Sequence, residues 1–402
     1  MKRFVLILVC LISLRVIAQD QRPQKVVSFI DVTWDSDYYE QLQKEWKALV
    51  DKDSKDAEAW ENYYLAAMYK FKSSGFYKDS IQKGSTDELH NIMKEMGKKI
   101  PNTFEYNYLL YRDNNKRPKY GKNLEKAYEL RPDAVKIYPT LTVYYEMSRD
   151  REKKAEVYKR WYKNDKDYSM FKLAFGYNTL MSVEQNAIVL AHGDNQVYPI
   201  EILEFGKGVR EDVDVIVQPM FVLDDYYENL LKDLDMPPYN KTYDDFKKEF
   251  PDDPYKAYYG FIQARINHII QNANGRPVYF PIQMKSAIID KFKDSLYLVG
   301  TVYKYSPVPF DNIALLRKNF EQKFLLDDLK VNLKKVPDNS TQFRLQTLYF
   351  KPLLELYKHY LSSGEIAKAN NAKQMILKLA SDYGKEADYL DYLSKLEKQI
   401  NP

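Results

Sequence analysis

Two polar turns that follow apolar runs hold the residue types most able to do chemistry. The apolar runs are residues 186–191 and 213–217, and both are short enough to be buried strands. Ligands of open α/β sheets lie outside the carboxyl ends of strands, so side chains after these runs are candidates for one site. The candidates are His192, Asp194, Asn195, Asp224 and Asp225. One imidazole and two carboxylates could bind a divalent cation or act as acid and base.

The first turn also has a purely structural interpretation, which we favour. Gly193 could supply a positive φ, Asp194 could accept from nearby backbone amides, and Asn195 could cap the helix that follows. The spacing matches no known metal-ligand signature. We therefore expect no metal and no cofactor, and we assign no catalytic residue.

Other catalytic signatures are missing from the sequence. It contains no Gly-x-Ser-x-Gly elbow, no Walker loop and no His-Glu-x-x-His motif. The single cysteine, Cys10, lies in the N-terminal leader described below. These absences argue against the common serine, cysteine and zinc hydrolases, and we lean away from an enzyme.

The elements that must position the candidate residues form an α/β centre. A helix is predicted over 197–205, with Pro199 in its first turn and Gly206 and Gly208 ending it. Strand, turn, helix and strand make a βαβ unit, whose crossover should be right-handed. The predicted strands are residues 186–191, 213–217, 277–282 and 296–305. We expect a small, mostly parallel sheet.

Paired helices flank this centre on both sides. Apolar residues recur at helical spacing before and after a polar break at 51–56. Near the other end, helices are predicted over 353–361 and 366–379, with a polar capping helix over 381–400. Small alanines at the helix crossings resemble tetratricopeptide (TPR) units. The fold class predicted is mainly α with an α/β centre, in which TPR-like helical hairpins flank the βαβ sheet. The predicted domains are residues 19–180, 181–310 and 311–402.

The first eighteen residues predict an export signal. Two basic residues precede an apolar run at 4–14, and Val16 and Ala18 occupy the −3 and −1 positions of a cleavage site. Residues 1–18 are therefore a predicted signal peptide, and the mature chain should begin at Gln19. No later stretch has the roughly 18–20 apolar residues of a transmembrane helix. We expect a periplasmic, extracellular or envelope-associated protein, and the lack of cysteine in its mature part favours a Gram-negative envelope.

Composition narrows the choice of partner. The 402 residues include 61 basic and 57 acidic ones, which gives a net charge of +4. Three basic residues and no acidic residue lie in the predicted signal peptide, so its removal lowers the charge to +1. A nearly neutral chain has no basic excess for nucleic acid. With only 13 glycines against 36 tyrosines, the chain favours helices over a β-sandwich or barrel.

Residues 186–306 carry a family resemblance. The matching pieces are Gly193-Asp194-Asn195, Tyr198-Pro199, Gly208-Val209-Arg210, Asp212-Val213, the segment 223–227 and the strands at 277–280 and 299–304. Their order and spacing resemble the soluble C-terminal region of multi-pass membrane proteins of the protein O-mannosyltransferase type. His192 departs from the family's usual asparagine, and Gln196-Val197 replaces Asp-Thr. The family's transferase activity lies in its membrane part, so the resemblance implies an exported accessory module of unknown role. The candidate ligand site also includes Gly193 and Tyr198.

Two functions follow as hypotheses. The first is a non-catalytic scaffold that binds a polypeptide or an envelope component through its helical arms. The second is an envelope enzyme or ligand-binding protein that acts on a glycan or phosphate compound through the turn at 192–195. Tyrosine doublets, such as those at 63–64 and 226–227, fit core packing better than a tyrosine-rich concave binding face. The sequence does not indicate an oligomeric state.

Overall fold

The computed structural model describes residues 22–28, 32–74, 81–114, 118–331 and 341–400. The predicted signal peptide at 1–18 lies outside the described residues. Packing divides the chain into two compact units, residues 1–132 and 133–402. The predicted fold class is confirmed, because helices dominate and surround one small five-stranded sheet.

Five helices make up the described part of the first unit. They are α1 (Ser36–Lys52), α2 (Ala57–Ser73), α3 (Ile81–Lys99), α4 (Phe104–Asp113) and α5 (Gly121–Leu130). Asp35, Asp56 and Thr103 cap α1, α2 and α4 by accepting from backbone amides in the first turn. Buried residues on α1 recur at intervals of three and four, so one face of the helix packs inward. They include Tyr39, Leu42, Trp46 and Val50.

The second unit begins with three helices that lead into the sheet: α6 (Tyr138–Ser148), α7 (Arg151–Asn164) and α8 (Met170–Ser182). Both α7 and α8 pack against α9 (Asp194–Lys207), which follows the first strand. The two compact units divide after Pro132, at a position inside the domain predicted over residues 19–180.

The sheet has the strand order β2-β1-β3-β5-β4. Its strands are β1 (Ile188–Ala191), β2 (Asp214–Val217), β3 (Val278–Pro281), β4 (Leu296–Leu298) and β5 (Val302–Tyr305). β1 pairs in parallel with β2 and β3, with Ile188 opposite Asp214 and Val278. β5 pairs antiparallel with β3 and β4, so the sheet is mixed, with its parallel pairs around β1.

The predicted single strand over 296–305 is two strands joined by a turn. Gly300 lies in this turn, where a Cβ atom would collide with the side chains of Ser182 and Phe324. Only glycine fits such a close approach, and the chain reverses there instead of running on as one strand.

Helices cover both faces of the sheet. Alternate strand residues point to opposite faces, so Ile188 and Leu190 pack with α10 (Asp224–Asp233) and α12 (Pro254–Gln271). Val189 and Ala191 point the other way and pack with α8 and α9. Two short helices complete this region, α11 (Tyr243–Glu249) and α13 (Ser286–Ile289).

The C-terminal helices form a separate core. They are α14 (Asn312–Lys318), α15 (Asp327–Lys330), α16 (Thr341–Gln346), α17 (Phe350–Ser362), α18 (Ile366–Asp382) and α19 (Glu386–Ile400). One π-helical turn, Asn319–Lys323, follows α14 directly. The last helix begins at Glu386 and not at residue 381, because Gly384 takes a left-handed φ of 64° that ends α18 first. In the part of the chain that the structure describes, no helix has the length and apolarity needed to cross a bilayer.

Candidate functional site

The predicted turn lies where expected, directly after β1, but its helix begins earlier. Gly193 has the positive φ that the structural interpretation predicted, 87°, but it is also the N-cap residue, a position that the sequence had assigned to Asn195. α9 starts at Asp194 and not at residue 197, so Asn195 lies inside the first turn and does not cap the helix. Pro199 is correspondingly deeper in the helix than predicted.

His192 is half-buried and is held by two side-chain amides. Its backbone N–H donates to Gln196 Oε1 at 2.8 Å, and its ring Nδ1 lies 3.0 Å from Gln218 Oε1. Both glutamines are fully buried. Neither glutamine could be recognised from the sequence, because a neutral amide side chain matches no catalytic or ligand motif. The hydrogen-bond partner of the ring is therefore a side-chain amide and not a carboxylate.

The aspartates of the predicted site differ in their surroundings. Asp194 is exposed in the first turn of α9, where the helix dipole favours a negative charge. Asp225 is exposed on α10, and Asp224 accepts from Nη2 of the buried Arg265. Tyr198 is half-buried, with its ring centroid 5.1 Å from that of Trp161.

Asp224 has a structural role, because it pairs with the buried guanidinium group of Arg265. Its guanidinium carbon lies 4.2 Å from the centre of the Phe261 ring and 4.4 Å from that of Tyr227. Its Nη1 donates to the carbonyl of Phe221 at 2.6 Å. Asp224 thus neutralises a buried cation, which is a structural task. Among the residues described, no three His, Cys, Asp or Glu side chains are grouped so that they could hold a metal ion.

The segment Gly208 to Val213, part of the family resemblance, also has a structural role. Arg210 Nη1 donates to the carbonyls of Leu180 at 2.8 Å and Val183 at 3.0 Å, at the end of α8. Its Nη2 donates to the carbonyl of Glu184 and to Asp212 Oδ2. The hydrogen bonds from Arg210 lower the pKa of Asp212 to about 2. This segment ties the end of α8 to the start of the sheet.

Most of the tyrosine doublets have one ring in the core. Tyr39, Tyr64 and Tyr145 are buried, while the tyrosine before each is half-buried. Tyr226 and Tyr227 are both buried, which the helical spacing did not predict. Packing accounts for these rings, since they are spread over several cores and do not line one face.

A buried charge cluster, formed by Glu146, Arg149, Lys154, Glu201 and Glu204, joins α6, α7 and α9. None of these five residues is more than 9% exposed. Lys154 Nζ donates to Glu146 Oε2 and, at 2.7 Å, to Glu201 Oε1. Arg149 Nη1 donates to Glu146 Oε1 at 2.6 Å. Two hydroxyls complete the bonding, with Tyr226 donating to Glu146 and Tyr158 to Glu201.

The pKa values of the three buried carboxyl groups are shifted in different directions, two upward and one downward. It raises the pKa of Glu204 well above the usual range, and the neighbouring Glu201 raises that pKa further. Burial also raises the pKa of Glu201, against the opposing effect of Lys154. For Glu146 burial is outweighed by Lys154 and Arg149, which hold its pKa below the ordinary value.

The charges around Glu204 balance without it. Arg149 also pairs with Asp233, and Arg151 pairs with the same Asp233. Arg151 and Arg276 both pair with Asp214. Four cations therefore meet four carboxylates before Glu204 is counted. Glu204 Oε2 is buried with no hydrogen-bond partner in the described chain. Because Glu204 is buried away from solvent and the surrounding charges are already paired, we assign this carboxyl group to folding and not to catalysis.

An open cleft lies among the C-terminal helices, away from the predicted turn. This C-terminal cleft has a volume of about 520 Å³ and is bounded by the π-helical turn, α15, α17 and α18. Its apolar floor consists of Phe320, Leu326, Leu353, Leu356, Ala372 and Met375. Its polar rim consists of Glu321, Lys330, Tyr360, Lys368, Asn371 and Gln374. The sequence analysis predicted α17 and α18 but not the cleft, because its floor combines residues from four elements.

Comparison with known proteins leaves the family open. The chain matches no protein-family model, and the search of curated proteins finds no similar protein.

Proposed function

We propose that the protein is an exported, non-catalytic interaction module that binds an acidic amphipathic polypeptide helix in the C-terminal cleft. The observation that carries this proposal is the apolar floor of the cleft beside Lys330, a cation without a carboxylate partner in the described chain. Apolar grooves of this kind take the apolar face of a helix, with anchors three and four residues apart.

The floor of the cleft offers a preformed apolar surface. Leu353 and Leu356 are buried in the C-terminal core and hold the floor in place, and the half-buried Met375 presents apolar surface at its edge. The helices beside it pack on each other directly, since α17 and α18 form one antiparallel pair closed by Gly364 at a φ of 72°. Little ordering is then needed when a partner binds.

The rim determines which charge the partner should carry. Glu321 accepts from Arg317 at 3.0 Å, from Tyr360 at 2.8 Å and from Lys368 at 3.0 Å. Lys368 also pairs with Glu365. These groups satisfy one another, so their charges cancel across the rim. Lys330 lies outside this network and favours an acidic residue on the partner.

The test is calorimetric titration with a synthetic helix of about 18 residues, long enough to be helical, that carries a leucine stripe flanked by glutamates. Lys330→Glu should weaken binding by roughly threefold to tenfold, because it replaces attraction by repulsion. Met375→Glu should weaken it by more than about tenfold, because it places an unpaired carboxylate under the apolar stripe.

Ile366→Glu is the matched control, since Ile366 is 53% exposed on the same helix as Met375 and does not line the cleft. It should bind like the wild type. A second peptide with lysines in place of the glutamates should bind more weakly. Equal losses of affinity for Met375→Glu and Ile366→Glu, or stronger binding of the basic peptide, would contradict the proposal.

Export and family membership are part of the same proposal. The N-terminal basic pair, apolar run and cleavage site support an exported protein, and the matching pieces over 186–306 support an accessory module similar to the soluble region of the O-mannosyltransferase-type family. When the full chain is expressed in a Gram-negative host, mass spectrometry of the purified protein should show Gln19 as its first residue. An intact Met1, or a lipid on Cys10, would contradict the export prediction.

A further inference from the structure

A second cleft, of about 360 Å³, lies among α7, the segment after it, α8 and α9. We call it the aromatic cleft, because Trp161, Tyr162, Tyr168 and Tyr177 line it. Its size is in the range of small-molecule sites, which are concave and mostly apolar with a few polar groups.

Trp161 forms a fixed wall of this cleft. Its indole N–H donates to Asp165 Oδ2 at 3.0 Å, and its ring stacks on Tyr158 with centroids 5.8 Å apart. The edge of Tyr168 meets the same indole at 6.0 Å. A ring held on several sides keeps its orientation, so the wall is present before any ligand arrives.

Exposed apolar side chains meet around this wall. Met170 is 75% exposed, Leu325 is 49% exposed and Tyr162 is 38% exposed. Single exposed apolar residues are ordinary on a protein surface, but these come from three separate segments and line one cleft. An apolar group bound there would cover surface that now faces water, which favours binding.

Two lysines supply the charge of the cleft. Lys166 and Lys207 both line it, and neither has a carboxylate partner in the described residues. Lys207 Nζ lies 5.1 Å from the centre of the Tyr162 ring, so its charge is held over the aromatic wall. The nearest acid of the lining, Asp165, already accepts from the Trp161 indole.

We propose that the aromatic cleft binds a fatty-acid-type ligand, with the acyl chain against the aromatic wall and the carboxylate at Lys166 and Lys207. A flexible methionine beside aromatic rings suits a chain without fixed shape. The most exposed uncharged side chains of this lining, Met170 and Leu325, are apolar, whereas a sugar would need hydrogen-bond partners for each of its hydroxyls. This site is separate from the C-terminal cleft, and it stands whether or not a polypeptide binds there.

Trp161 gives the test its signal, because it lines the cleft, whereas the other three tryptophans lie in residues 1–132. Dodecanoate, 1-dodecanol and maltose are titrated into the full chain, and tryptophan fluorescence is followed. Dodecanoate is kept below the concentration at which it forms micelles, and 1-dodecanol below its solubility limit. Dodecanoate should give a saturable change, and 1-dodecanol a weaker one. A saturable response to maltose alone would overturn the proposal in favour of a glycan site, and no saturable response to dodecanoate would refute it.

Variants then separate the two halves of the site. Lys166→Glu combined with Lys207→Glu should weaken dodecanoate binding by about tenfold and leave 1-dodecanol unchanged. Met170→Glu should weaken the binding of both dodecanoate and 1-dodecanol. Lys159→Glu is the matched control, since it lies exposed on α7 outside the cleft and should bind like the wild type. Equal losses of both ligands in the double variant would show that the lysines do not bind the carboxylate, and would overturn this part of the assignment.

Discussion

Lys154→Met is expected to lower the free energy of unfolding by roughly 3–5 kcal/mol, because it removes one partner of a buried ion pair. Lys154 is 3% exposed, and its ammonium group is bonded to both Glu146 and Glu201. Methionine fills a similar space but leaves two buried carboxylates without that cation. Glu146 would retain Arg149, while Glu201 would retain only the hydroxyl of Tyr158.

Urea denaturation of the purified protein measures this loss. Lys159→Met, on the exposed side of the same helix, should change stability by less than about 0.5 kcal/mol. Adding Glu201→Leu to Lys154→Met removes the carboxylate that lost its cation, so the double variant should lose less than the sum of the single ones. A loss below about 1 kcal/mol for Lys154→Met would mean that water reaches the cluster.

Arg210→Met should have the second-largest effect on stability, a loss of roughly 2–3 kcal/mol. Three backbone carbonyls, of Leu180, Val183 and Glu184, accept from this one guanidinium group, and no aliphatic side chain can replace those donors. Arg210→Lys should recover little of the loss, since an ammonium group lacks the planar fork that reaches all three carbonyls.

The pH dependence of the Arg210 variant gives a second measurement. Arg210 lowers the pKa of Asp212 to about 2, from an ordinary value near 3.8. The stabilisation linked to this shift is present above the ordinary value and is lost as the pH falls through about 2. Denaturation midpoints measured between neutral and acid pH should therefore fall less steeply for Arg210→Met. A parallel pH dependence in both proteins would contradict the assigned role of Arg210.

Local patterns predicted much of the framework. The apolar run before His192 contains β1, and the helix predicted over 366–379 is α18, which begins at the expected residue, Ile366. Such elements are encoded by neighbouring residues, so the sequence alone is sufficient. The start of α9 was placed three residues late, because Gly193 serves as the N-cap without any side-chain hydrogen bond.

The buried charge cluster and the aromatic cleft depend on contacts between residues far apart in the sequence. Glu146, Lys154 and Glu201 lie on three helices and have the composition of solvent-facing charges, so only the fold shows that they are buried together. The aromatic cleft needs Leu325 beside Trp161, although 164 positions separate them in the chain. Periodicity predicts which face of a helix is apolar, but it does not indicate which apolar face remains open.

The most direct test of the proposed interaction module compares two variants in one titration with the acidic amphipathic peptide. Met375→Glu changes the C-terminal cleft, and Asp194→Ala changes the turn after β1, where the alternative enzyme or ligand-binding function would lie. We predict that Met375→Glu lowers the affinity by more than about tenfold and that Asp194→Ala leaves it unchanged. Wild-type affinity in Met375→Glu, or a loss of binding in Asp194→Ala, would contradict the assignment of peptide binding to the C-terminal cleft.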